Sequence, residues 1–114
     1  MNQGIVFAAE TEERSLHTFA SEVEAIAYCE GLDVEAAIWL FWNWAGKPLV
    51  PVFSTANKRG LLVAQNGTYR LTAAESNRHA MLSDVMHKFT AFEGSHPFNS
   101  RAGVLAHLRD AHLG

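Results

Sequence analysis

The chain carries one cysteine, Cys29, and six histidines, His17, His79, His87, His96, His107 and His112. Nucleophilic or metal chemistry would have to be built from these side chains. A reactive thiolate is favoured at a helix N-terminus or among cations, where its negative charge is stabilised. Cys29 instead falls beside Glu30 in the last turn of an expected helix, so it reads as a small packing residue rather than a nucleophile. Two histidines on one helix share a metal ion when they are three or four positions apart. His79 and His87 are eight apart, and His107 and His112 five apart. Local spacing therefore builds no metal site, and neither a metal nor a cofactor is expected.

Other reactive groups fare no better. Asp110 and His112, two apart on a helix, point to different sides, and neither Ser83-Asp84 nor Ser15-Leu16-His17 has the logic of a triad or a nucleophile elbow. The eight glycines are scattered and never form a GxGxxG or GxxxxGK phosphate loop. Hydrolase, kinase and dinucleotide-binding readings all lack their minimum parts, and the balance leans away from an enzyme.

What remains is binding, and the aromatic residues are its candidates. All three tryptophans lie between Val34 and Phe53. From Ile38 to Trp44 the chain places Ile38, Leu40, Trp42 and Trp44 on one parity, and Trp39, Phe41 and Asn43 on the other. Two apolar faces at period two describe a strand buried on both sides, or one with a sticky outer face. Helices on a single side would not hide so many rings, so Trp39, Phe41, Trp42 and Trp44, with Tyr69 on a neighbouring hairpin, are the candidate binding residues.

The leading expectation is an interaction or accessory protein that meets a protein partner, or a second copy of itself, through this tryptophan hairpin; an immunity-like role fits that class. The alternative is a small-molecule binding protein, or an enzyme of unrecognised chemistry, with an aromatic-lined pocket between the sheet and the C-terminal helices. Such a pocket would take a small apolar ligand and present polar tips such as Tyr28, Asn43, Tyr69 or His79. Nucleic-acid binding is a third reading, because Lys47, Lys58, Arg59 and Arg70 lie near Trp42, Trp44 and Tyr69. A sequence pI of about 6.0 weighs against it.

Composition bounds these readings. At 114 residues, 48% hydrophobic and 18% charged, the chain suits a single domain spanning residues 1–114, burying roughly two thirds of its unfolded surface. A lone cysteine forms no internal disulfide, and Met1-Asn2-Gln3-Gly4 lacks the basic start and long apolar run of a signal peptide, so a cytoplasmic location is expected. No apolar run approaches the roughly 20 residues that span a bilayer. Charge is segregated: residues 1–35 hold eight acids against Arg14 alone, whereas residues 36–114 hold four acids against eight bases.

The elements that position the aromatics follow from local patterns. Gly4 to Ala9 predicts a first strand, with Arg14 to Phe19 as its partner. Ser21-Glu22-Val23-Glu24 is a capping box opening a helix over 22–30, with Val23, Ile26, Ala27 and Glu30 on one face and Gly31 as its left-handed stop. Gly46 turns the tryptophan strand into Leu49 to Phe53, where Pro48 and Pro51 predict an edge strand. Asn66-Gly67 predicts a type I′ turn pairing Ala64 with Tyr69 and Leu62 with Leu71. Thr72-Ala73-Ala74-Glu75 predicts a second capping box, ahead of a helix with Leu82, Val85, Met86 and Phe89 as its stripe. A last helix, capped at Asn99 or Ser100, buries Val104, Leu105, Leu108 and Ala111. The expected fold is α+β: an antiparallel sheet of five or six strands, made of two hairpins and an N-terminal strand pair, with one inserted helix and two C-terminal helices packed on one face.

Overall fold

The computed structural model of the protein describes residues 3–59, 64–74 and 79–113. Strand β1 (Val6–Glu10) turns back into β2 (Ser15–Phe19), and two short helices, α1 (Glu22–Tyr28) and α2 (Gly31–Glu35), lead to β3 (Trp39–Trp42). Strand β4 (Pro48–Thr55) returns beside β3, a two-residue pair, β5 (Lys58–Arg59) and β6 (Ala64–Gln65), follows, and β7 (Thr68–Ala73) rejoins the sheet. Helix α3 (Leu82–Val85) runs on into a 3-10 turn, Met86–Lys88, then β8 (Ala91–Glu93) and α4 (Arg101–Leu113). Six strands form one sheet in the order β7-β4-β3-β1-β2-β8. Every pairing in it is antiparallel except β2 with β8. The architecture is the expected α+β sheet, with the tryptophan strand inside it. No helix among the described residues is long and apolar enough to cross a membrane.

Side chains alternate across a strand, and here both sides are apolar. Phe7, Ala9, Leu16, Leu40 and Trp42 pack against Leu82, Met86, Phe89, Phe98, Val104 and Leu108, so the C-terminal elements cover one face. Val6, Ala8, Trp39 and Phe41 pack with Ala25, Cys29, Val34 and Tyr69, so α1 and α2 cover the other. The tryptophan strand is thus enclosed from both directions.

Several local expectations change in the folded chain. Ser21 caps α1 through its Oγ, which accepts the Glu24 amide at 3.2 Å, but the Glu24 carboxylate takes the amide of Ala20 at 3.1 Å rather than that of Ser21. The buried face of α1 is Ala25 and Cys29, while Val23 is 77% exposed. Two small residues let the helix lie close on the sheet, and Val23, two positions from Ala25, points to the opposite side. Gly31 opens α2 instead of stopping α1, and a Cβ there would meet Asn57 Oδ1 at 2.5 Å, displacing the side chain that holds the Gly67 amide.

Strand β4 is internal, not an edge. It pairs with β3 only through Leu49 and Pro48, then with β7 along its length. Pro51 lies opposite Leu71, whose amide turns outward to Glu22, so this is a pair without ladder bonds. The missing N–H of Pro51 therefore faces away from β7, on the side that β3 does not reach.

Asn66-Gly67 makes no I′ hairpin. Strand β6 pairs with β5, and β7 pairs with β4. Asn66 Oδ1 instead accepts the Leu32 amide at 2.9 Å, and the Gly67 amide donates to Asn57 Oδ1 at 2.7 Å. A Cβ at Gly67 would meet the Thr55 carbonyl at 1.9 Å, so close backbone approach is what requires glycine. Leu62, the other expected pairing residue, lies outside the described residues. Thr72 and Ala73 belong to β7 and not to a cap, and Glu75 lies outside the described residues. Of the predicted stripe, Leu82, Met86 and Phe89 are buried and Val85 is half-buried, on one α-helical turn followed by a 3-10 turn rather than a continuous helix; Phe92 stands in β8. In α4, Val104 and Leu108 are buried, Ser100 caps the start by accepting the Gly103 amide at 3.1 Å, and Leu105 is 41% exposed.

Strand β7 is an edge whose open amide is masked by one side chain. Glu22 accepts Leu71 N–H at 2.7 Å and the Arg70 guanidinium at 3.0 Å. The Arg70 hydrogen bond, helped by the Leu71 amide, holds the Glu22 carboxyl below its ordinary value. Because the folded pKa is depressed, this stabilisation is present at neutral pH and lost as pH falls through the folded value. Replacing Glu22→Ala should cost about 1 kcal/mol at pH 7, most of it from the edge amide since exposed ion pairs contribute little. Urea denaturation should show that gap closing at pH 3; an undiminished gap there would refute the role of the charged carboxylate.

Candidate functional site

Trp42 anchors the wall of the principal cavity. Its indole N–H donates to the Ala80 carbonyl at 2.7 Å. Its ring meets His79 edge-on at 5.1 Å between centroids and Phe89 at 6.4 Å. His79 Nε2 lies 2.9 Å from the Phe41 carbonyl. A carbonyl only accepts, so Nε2 is the donor of this bond. The segment before α3 is therefore fastened to β3 by two side-chain bonds.

On the face that carries Trp42, α3 and its 3-10 turn are too short to cover the sheet completely. They leave a cavity of about 700 Å³. Its floor and inner wall are Ala9, Leu40, Trp42, Val85 and Phe89, and its mouth carries Thr11, Arg14, His87, Lys88 and Thr90. Trp42 and Phe89 are buried, whereas all five mouth residues are exposed. No aspartate or glutamate lines the cavity among the described residues.

The mouth is held in shape by backbone bonds. Arg14 ends the β1–β2 turn at φ 56°, a left-handed conformation sparsely used by non-glycine residues, and its carbonyl accepts the Thr90 amide at 2.8 Å. Thr11 is tied to the Ile38 carbonyl through both its amide, at 2.8 Å, and its hydroxyl, at 3.0 Å. Arg14 thus faces the 3-10 turn across a fixed gap. It is the one base of the acidic first third of the chain, brought beside the bases of the last third.

The hairpin rings do not form an exposed surface. Trp39, Phe41, Trp42 and Tyr69 are 8%, 1%, 2% and 4% exposed, and Trp44 alone is half-buried. Two-sided coverage by helices is the physical reason. The Tyr69 hydroxyl donates to the Cys29 carbonyl at 2.6 Å, and burial raises its pKa above the ordinary value. Asn43 braces the turn, its Oδ1 accepting the amides of Ala45 and Lys47 at 2.9 and 3.0 Å. Of the polar tips expected in a pocket, His79 lines this cavity; Asn43 and Tyr69 serve the fold, and Tyr28 belongs to another groove. Arg14, His87 and Lys88 had no signal in the sequence, since only the β2–β8 pairing brings their segments together.

That other groove, of about 570 Å³, has the opposite character. Glu13, His17, Phe19, Tyr28 and Glu93 line it. The rings of His17, Phe19, Tyr28 and Trp39 contact one another at 5.1–6.2 Å between centroids, which leaves no slot between them. Burial lowers the His17 pKa, against the raising effect of Glu93, Glu13 and Glu10.

The chain matches no known protein family, no curated protein and no solved structure. Its chemistry must be read from its own side chains. Among the described residues, no group of three or more His, Cys, Asp or Glu side chains converges on a point. Cys29 is fully buried, and burial, with the charge of Asp33, pushes its thiol up to about 12. Cys29 should therefore resist iodoacetamide at pH 8 in the native protein and react readily in 6 M guanidinium. Rapid native labelling, followed by mass spectrometry, would contradict this burial.

Proposed function

We propose that the protein binds a small, largely apolar organic molecule in the cavity between the sheet and α3. One observation carries the reading: about 700 Å³ of space with an apolar floor and, apart from His79 beside Trp42, polar side chains at the mouth, which is the common architecture and size of small-molecule sites. A ligand that fills this space adds packing contacts to the native state alone and so stabilises it.

Titration with the neutral probe N-phenyl-1-naphthylamine should give saturable fluorescence enhancement and a raised Tm. Val85→Trp, which places a large ring in the cavity from its half-buried wall, should abolish the enhancement. In the unmodified protein, NMR shifts caused by the probe should centre on the Trp42 indole and Phe89. Perturbations confined to α1 or β7 would overturn the assignment.

A second reading, association with a protein partner or a second copy, draws support from a different surface than the tryptophan hairpin. Val23, 77% exposed, and Tyr28, 58% exposed, are large apolar side chains of α1 that remain open to solvent. Native mass spectrometry should then show a dimer or a retained protein that Val23→Lys with Tyr28→Lys releases. A bare monomer at micromolar concentration would remove this reading.

A further inference from the structure

The charge at the cavity mouth selects a chemical class of ligand. Resting on the cavity reading above, we infer that the ligand is an amphipathic organic anion: an apolar body against Trp42, Leu40 and Phe89, and a carboxylate or phosphate head between Arg14 and Lys88. Three features of the site carry the inference.

The first is the sorting of groups by depth. The floor is apolar and buried, while Arg14, His87 and Lys88 are exposed at the rim. A ligand that fills the floor must place its remaining atoms among these bases. The second is the sign of the rim. The protein has a net charge of −3, yet none of the described residues lining this cavity is acidic. Neither Arg14 nor Lys88 forms an ion pair with a described residue, so both guanidinium and ammonium remain available to an anion. The third is geometry. Arg14 stands on the β1–β2 turn and Lys88 on the 3-10 turn, and the Thr90 amide, bonded to the Arg14 carbonyl at 2.8 Å, fixes the spacing of the two segments. Two cations that line one opening can share a single head group, and charge-assisted hydrogen bonds to carboxylate or phosphate are the strong ones. A neutral ligand of the same body would leave these groups hydrated and gain nothing from them.

Isothermal titration with decanoate, decyl phosphate and 1-decanol tests the assignment on the full-length protein. Either anion should bind about tenfold or more tightly than decanol, as expected for one or two charge-assisted bonds at a half-open mouth. The tighter of the two identifies the head group. In Arg14→Gln with Lys88→Gln the ratio of anion to alcohol affinity should fall towards one, and Arg14→Lys with Lys88 intact should keep most of it. Equal binding of alcohol and anions in the unmodified protein would overturn the anion assignment while leaving the cavity reading standing. Failure of all three ligands and of N-phenyl-1-naphthylamine would overturn both.

Discussion

The structure depends on one constraint: β3 is apolar on both faces and must be covered twice. Trp39 and Phe41 project to one side, Leu40 and Trp42 to the other, and water on either side would leave large rings exposed. A chain of 114 residues meets this by dividing its helices between the faces. Segment 22–35 covers Trp39 and Phe41 with small, close contacts through Ala25 and Cys29. The last third of the chain covers Trp42 with Leu82, Met86, Phe89 and Leu108. The second layer is built from one short helix, a 3-10 turn and a longer helix, and it closes less completely. The cavity is where that cover falls short.

Polar groups then fix the layers in place. The carbonyls of Phe41 and Trp44 accept N–H groups from His79 and His107 at 2.9 and 2.7 Å, and Trp42 donates to Ala80. The turn between β3 and β4 is seated by Gly46, at φ 79°, whose carbonyl accepts the Leu82 amide at 2.9 Å. A Cβ at Gly46 would meet Leu108 Cδ2 at 2.9 Å, so the turn and the second layer fit only with glycine there. At the lower end of the same layer, the Arg101 guanidinium donates to the Phe89 carbonyl and lies 5.4 Å from the centre of the Phe92 ring. Two of the six histidines, His79 and His107, thus act as directional donors to the backbone of the tryptophan hairpin.

The sequence made the central strand, the Gly46 turn, the Ser21 cap and the buried stripe of the second layer legible, because each rests on contacts within a few residues. It misled where partners are distant. Asn66-Gly67 has the composition of a two-residue hairpin turn, yet Asn57 and Leu32 compete for its polar groups and win. Thr72 to Glu75 reads as a cap, but Thr72 and Ala73 are claimed by the ladder with β4. Strand β8 is three residues long and parallel to β2, with no alternation long enough to announce it. The candidate site was legible only in part for the same reason. Trp42 and His79 stood out by residue type, whereas the choice of buried over exposed rings turned on α2 and α1 covering the second face, which no local pattern records.

Charge segregation along the chain acquires a spatial meaning through the β1–β2 turn. Glu13 and Arg14 are neighbours, yet they line different concavities: Glu13 the shallow aromatic groove with Glu93, Arg14 the deep cavity with Lys88. Arg14 itself, the last residue before β2, holds a left-handed backbone at φ 56°. Strain of that kind at a non-glycine residue costs of order 1 kcal/mol. Glycine at this position would remove the strain and with it the only positive charge in the first 35 residues. Arginine there sets a local conformational cost against a second cation at a rim that carries Lys88 and no described acid. The balance is reasonable for a cavity mouth whose ligand is negatively charged, and it has no evident advantage for a mouth that only needs to be closed.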